Sequence, residues 1–203
     1  MSASSMSASS VSVSSISAPS KRMSRAVVSA VFIIVGFVGA LPAGAYTVRT
    51  GDMLVRGVVG ASVNVLRLDV ATRATPPGGM LIGVDFDYSI DGAWSVASSL
   101  RPVLSPGFVD ANLGIGAKYR VIQLDAPFIP FATAQVTTAL GGPLGYGDVH
   151  FNLGGRVGAG IDYFVMRNLA LGIEISTELS GLLTPLPAAE WSTDALVGVT
   201  WRL

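Results

Sequence analysis

The residues able to do chemistry are few: a single histidine, His150, two carboxylate pairs, Asp85/Asp87 and Glu174/Glu178, and a scatter of bases. His150 with Ser180 and Glu178 has the composition of a hydrolytic triad, in which imidazole takes the serine proton and the acid orients the ring. No nucleophile motif surrounds Ser180, however, and a lone histidine at a loop–strand junction reads as a solvated bystander. The carboxylate pairs could run acid–base chemistry, but they share a face with bases, so ion pairing accounts for them better. With no Cys in 203 residues, disulfides, thiolate metal sites, Cys nucleophiles and a lipidated N-terminal cysteine are all excluded. No metal-ligand cluster, phosphate loop or dinucleotide fingerprint sits in a suitable context, so no metal or cofactor is expected. A formal net charge of zero offers nucleic acid no electrostatic footprint.

The elements that must position these side chains are strands. From Phe151 to Tyr163 the odd residues are apolar or small (Phe151, Leu153, Val157, Ile161, Tyr163), while Asn152, Arg156 and Asp162 alternate with them. After Met166-Arg167-Asn168 the alternation resumes, with Leu169, Leu171, Ile173, Ile175 and Leu179 set against Gly172, Glu174, Ser176 and Glu178. Period two broken by a short polar stretch predicts a hairpin. The same pattern predicts strands over Asp52–Leu66, Met80–Ile90, Val109–Val121, Phe128–Leu140 and Trp191–Leu203. A third strand starts at Trp94 and is expected to end or bulge at Pro102, which has no N–H for a ladder. Eight strands result, with breaks of about three residues after strands two, four and six and longer loops after one, five and seven, the arrangement of an outer-membrane barrel. Roughly eleven residues at about 3.3 Å each, tilted by about 45°, give roughly 26 Å of height, close to the apolar band of about 25 Å in such barrels.

Alternation alone leaves two readings open: a membrane barrel with its apolar face outward, or a soluble lipocalin-like barrel with a greasy pocket. Glycines crowd the polar face (Gly83, Gly114, Gly116, Gly154, Gly158, Gly160, Gly172, Gly198), as suits a packed lumen. Aromatics on the apolar face gather near strand ends, with Tyr88, Trp94, Tyr119, Phe128, Tyr163 and Trp201 at one end and Phe151 and Trp191 at the other, the pattern of two interfacial girdles. Both features favour lipid outside. The polar face then carries Arg56, Arg101, Lys118, Arg120, Arg156 and Arg202 with Asp85, Asp87, Asp110, Asp162, Glu174, Glu178 and Asp194. In a lumen only wide enough for side chains, these should form a paired charge network; a polar pathway for solutes is the alternative.

The N-terminus reads as a leader. Residues 1–22 are a low-complexity Ser/Ala segment with MSASS written twice, and Met23 would make a more ordinary initiator. Residues 23–45 have the form of a signal peptide: Lys21, Arg22 and Arg25 lie at its front, Ala26–Leu41 is apolar, and Ala43-Gly44-Ala45 is an A-x-A cleavage site. Residues 46–203 would be the mature barrel.

The chain resembles the small eight-stranded outer-membrane barrels of OmpA/OmpX type over essentially all of Tyr46–Leu203. Gly155 to Phe164 (GRVGAGIDYF) with Asn168-Leu169-Ala170-Leu171 looks like the penultimate hairpin of that superfamily, and Gly51 to Arg56 (GDMLVR) is similar to the first strand of the OmpW family, as is Ile129-Pro130-Phe131 to the start of its fifth. The C-terminal residue is Leu203 where such barrels commonly end on an aromatic, with Trp201 two residues earlier. The resemblance implies binding or passage of small molecules, hydrophobic ones included, and Leu54, Val58 and Leu196 on the inner face suit that or ordinary packing. The expectation is therefore an all-β, eight-stranded antiparallel up-and-down transmembrane β-barrel preceded by a signal peptide. It would be a monomer in the outer membrane of a Gram-negative-type cell, with outer-membrane lipid and the assembly machinery as partners. A lipid-modifying enzyme is the rival from another class.

Overall fold

The alternating runs pair in chain order. The computed structural model describes residues 48–68, 78–122, 127–144, 149–182 and 188–203. The leader and its cleavage site lie outside them. The strands are β1 (Met53–Leu68), β2 (Gly78–Ser89), β3 (Trp94–Ser105), β4 (Phe108–Arg120), β5 (Phe128–Pro143), β6 (His150–Met166), β7 (Leu169–Leu182) and β8 (Ala188–Arg202). Each pairs antiparallel with the next, and β8 returns to β1, so the sheet closes and has no edge.

Closure turns the two faces of every strand into an inside and an outside. Ile115, Val136 and Ile175 point outward, each more than 60% exposed, with Val59, Ile82, Leu153, Val157 and Ile173 in the same belt. Arg56, Arg101, Lys118, Arg120, Arg156, Asp162 and Glu174 point inward and are buried. This is the inverse of a lipocalin-like barrel, whose apolar pocket is inside. The belt is an apolar surface far larger than a water-soluble monomer tolerates.

Two expectations about strand boundaries need correction. Pro102 does not end the third strand: β3 runs on to Ser105, and its ladder to β4 continues through Pro102 opposite Ala111. On the β2 side the pairing lapses between Leu81–Val103 and Val84–Leu100 and resumes in the same register, so the missing N–H costs a local gap rather than the strand. The β3–β4 connection is the tight turn Pro106-Gly107, with Gly107 at φ +75°, although it lies at the end of the long loops. Pro fixes the first corner, and glycine takes the left-handed second corner. The break after strand four is longer than expected, since β4 ends at Arg120 and β5 begins at Phe128.

At the opposite end Asp91-Gly92 makes the expected turn. Asp91 Oδ1 accepts from the N–H of Ala93 (3.1 Å) and of Trp94 (2.7 Å), and Gly92 sits at φ +85°. That end also carries the first described residue, Val48, and the C-terminus; it is called the terminal end below.

Candidate functional site

The inward face of the barrel is the candidate site, because it gathers nearly all the charge. Its contents lie in tiers. Nearest the terminal end, Val48, Leu54, Ile129, Phe164 and Ala170 form a buried apolar cluster. Beside it Arg202 Nη2 meets Asp52 Oδ1 at 2.8 Å.

In the next tier Asp87 Oδ2 accepts from Lys118 Nζ at 2.9 Å and from Arg120 Nη2, whose Nη1 donates to Ser95 Oγ. Lys118 also lies 3.8 Å from Asp162 Oδ2 and 4.0 Å above the Phe131 ring. Above it, Glu174 bridges two guanidiniums: Oε2 to Arg56 Nη1 at 2.7 Å and Oε1 to Arg101 Nη1 at 3.0 Å. Arg101 then grips Asp85 through Nε (2.9 Å) and Nη2 (2.8 Å) in the planar fork that favours carboxylates. Arg56 also lies over Phe131, 5.3 Å from its centroid. The ring thus meets two cations in a dry setting, where such contacts are strongest.

A further tier joins Arg156 Nε and Nη2 to Glu178 Oε2 (3.0 and 2.7 Å), while Glu178 also accepts from Asn112 and Thr137. Ser99 and Gln135 hydrogen-bond beneath it at 3.0 Å. The glycines of the inner face make this possible. A Cβ on Gly198 would lie 2.6 Å from Arg56 Nε, and one on Gly160 would strike the Phe131 ring. Flat backbone is what lets these large side chains cross the lumen.

Of the thirteen residues named from the sequence, ten meet in these tiers: Arg56, Asp85, Asp87, Arg101, Lys118, Arg120, Arg156, Asp162, Glu174 and Glu178. Arg202 stands apart at the terminal edge. Asp194 accepts from Ser176 Oγ at 3.4 Å and from Ser62. Asp110 lies at the opposite mouth, where its Oδ1 is buried without a hydrogen-bond partner. Sequence reasoning missed Asp52 and Phe131. Phe131 carried a signal, since it shares strand parity with Gln135 and falls opposite the outward Phe128.

The structure places seven of the eight aromatics on the outside: Tyr88, Trp94, Tyr119, Phe128 and Trp201 near the terminal end, Phe151 and Trp191 near the other. Tyr163 is the correction, only 7% exposed. It pairs across the ladder with Phe128, whose ring lies 4.9 Å away at 45° and covers it. A pairing register cannot be read from one strand's alternation, which is why the covering was not legible.

Ser180, His150 and Glu178 do reach one place, the mouth opposite the termini. Glu178 is committed there to Arg156, Asn112 and Thr137 rather than to orienting an imidazole. His150 is the first residue of β6, at the loop–strand junction as expected, and stacks on Phe108 with centroids 5.2 Å apart. Leu54, Val58 and Leu196, the candidate greasy contacts, are packed: Leu54 in the terminal cluster, the other two against Leu81 and Val103.

Among solved structures, the chain is similar to the Neisserial surface protein A, NspA, at TM-score 0.57 and 17% identity, covering 75% of this chain and 97% of that one. It is similar to the N-terminal β-barrel domain of Pseudomonas aeruginosa OprF at TM-score 0.55 and 13% identity, covering 76% and 98%. The outer membrane protein OprG from Pseudomonas aeruginosa matches at TM-score 0.52 and 13% identity, covering 76% and 97%. No protein-family model and no curated protein matches the chain. At these identities the likeness is one of fold. The fold is that of the small eight-stranded outer-membrane β-barrels, as the alternation and the resemblance predicted.

Proposed function

We propose that this chain is a non-enzymatic outer-membrane β-barrel, exported by a cleaved signal peptide, whose lumen is sealed rather than open. Lipid would surround the belt of Val59, Ile115, Val136 and Ile175, with the exposed Trp and Tyr side chains at its two interfaces. The terminal end would face the periplasm. One observation carries the reading: Arg56, Asp87, Arg101, Lys118, Arg120, Glu174 and Phe131 cross the lumen as one connected, buried set. A solute crossing it would have to part several dry ion pairs at once, each partner then being left buried and uncompensated. The protein therefore serves as a structural membrane component, inserted by the outer-membrane assembly machinery as a monomer.

Reconstitution into planar bilayers tests this. The wild type should show no steady conductance, and Arg101→Ala, which removes the group bridging Asp85 and Glu174, should show small channel events. Stable wild-type channels at ordinary voltage would overturn the sealed reading in favour of a narrow passage for small solutes.

A further inference from the structure

The mouth opposite the termini holds a feature that the ion-pair plug does not explain. A cavity of about 60 Å³ lies there, and its wall includes Asp110, Asn112, Asn152, Glu178, Glu190 and Asp194. A single water needs roughly 10–15 Å³ on this measure, so the cavity takes a few water-sized groups and no drug-sized molecule. Three of its oxygens, Oδ1 of Asp110, Asn112 and Asn152, are buried and accept no hydrogen bond. Asn152 as a whole is 4% exposed. The orientation of Asn112 is fixed by its Nδ2, which donates to both carboxylate oxygens of Glu178 at 3.0 Å and leaves Oδ1 on the other side.

Register brings the three together. Asn112 on β4 and Asn152 on β6 both sit opposite Ala139 of β5, and Asp110 sits one inward position further out, opposite Gly141. A Cβ on Gly141 would lie 2.7 Å from His150 Nε2 and 2.9 Å from Asp110 Oδ1, so glycine is what allows both side chains to lean over β5. The wall is also acidic. It holds four carboxylates (Asp110, Glu178, Glu190, Asp194) against Arg101, Arg156 and the titratable His150, and the two guanidiniums already serve other partners: Arg101 binds Asp85 and Glu174, and Arg156 binds Glu178. Buried acceptors without donors, in an acidic pocket of this size, ask for a small cation.

The geometry points to a binding site for a hard divalent cation of the calcium class, held by Asp110 Oδ1 and the amide oxygens of Asn112 and Asn152 and completed by water. Calcium takes six to eight oxygen ligands, amide carbonyls and waters among them, in flexible geometry, whereas magnesium demands near-ideal octahedra and dehydrates reluctantly. No three His, Cys, Asp or Glu side chains converge as a metal site among the described residues, so the donor set is one carboxylate with two amides, oxygen donors that suit a hard cation rather than softer metals that want imidazole or thiolate. A site with one direct carboxylate belongs with the weak extracellular calcium modules, with Kd of about 10⁻⁴–10⁻³ M.

The test is calorimetric titration of the detergent-purified protein, stripped with EDTA and desalted, with calcium chloride alone, magnesium chloride alone and spermidine alone. Calcium should bind saturably at one site in that range and more tightly than magnesium. Asp110→Asn should weaken calcium at least about tenfold, as loss of the one charged ligand. Asn152→Asp should tighten it, a gain that misfolding cannot imitate; heat-modifiable gel mobility confirms that both variants are folded. No saturable calcium binding up to about 10 mM, above the weak end of the expected range, overturns the site. So does unchanged affinity in folded Asp110→Asn, or a folded Asn152→Asp that fails to tighten. Saturable spermidine binding without calcium binding would reassign the pocket to organic cations and equally overturn the metal.

Discussion

The plug near the terminal end and the mouth at the other end are built from the same alternation, yet they treat charge differently. In the plug, Asp85, Asp87, Glu174, Arg56, Arg101, Lys118 and Arg120 each have an opposite charge within 3.0 Å, and Glu174 and Asp87 each serve two cations. At the mouth, Asp110 faces the carboxylates Glu178 and Glu190, with His150 across Gly141, and its Oδ1 accepts no hydrogen bond. The plug is arranged to hold itself together through opposite charges, although Nε and Nη2 of Arg56 and Oδ1 of Asp162 make no hydrogen bond there. The mouth is arranged to accept something from outside. Burial is therefore a poor guide to role in this lumen, and the inventory of partners is the better one.

The largest effect should come from breaking the shared partner. Glu174→Ala leaves Arg56 and Arg101 each short of a carboxylate in a dry interior and should cost about 3–5 kcal/mol. Urea unfolding of the protein in vesicles, followed by tryptophan fluorescence, measures it. A loss under about 1 kcal/mol would mean that water reaches the plug, and the contrast with the mouth would vanish.

A charge placed where no partner exists calibrates that number. Val136 lies mid-strand on β5 and is 61% exposed on the apolar belt. Val136→Arg should cost about 2–4 kcal/mol in the same vesicle assay, and close to nothing if the belt does not face lipid.

The smallest effect belongs to the mouth. Asp110→Asn in EDTA removes a carboxylate whose charged neighbours are Glu178 and Glu190, so stability should change by no more than about 0.5 kcal/mol, in the stabilising direction if at all. Pairing it with Glu174→Gln sharpens the comparison, because each substitution turns one inward carboxylate into its isosteric amide and the partners are what differ. A cost of about 3 kcal/mol or more at Asp110 would place it in the plug after all.

Much of this was legible along the chain, and the reason is local. Alternation at period two needs only one strand, so the eight strands and the composition of each face could be read directly, as could the Asp91-Gly92 turn. The readings that failed depended on a neighbour strand. Pro102 proved tolerable because its ladder to β4 stays intact, Tyr163 is covered because Phe128 is its cross-strand partner, and Glu178 was taken from His150 by Arg156, Asn112 and Thr137. Asp52 pairs with Arg202, which lies 150 residues along the chain. No spacing rule anticipates that.

The sequence by itself determined that this chain closes a sheet with apolar side chains on one face and thirteen charges on the other, since strand parity fixes which residues share a face. Only the tertiary structure decided which charges meet. Barrel closure brings β1, β3 and β7 around Glu174 and leaves Oδ1 of Asp110, Asn112 and Asn152 at a cavity where they accept no hydrogen bond. A strand's faces are a local property of the backbone, whereas an ion pair across a lumen is a property of curvature and register, which no single strand contains.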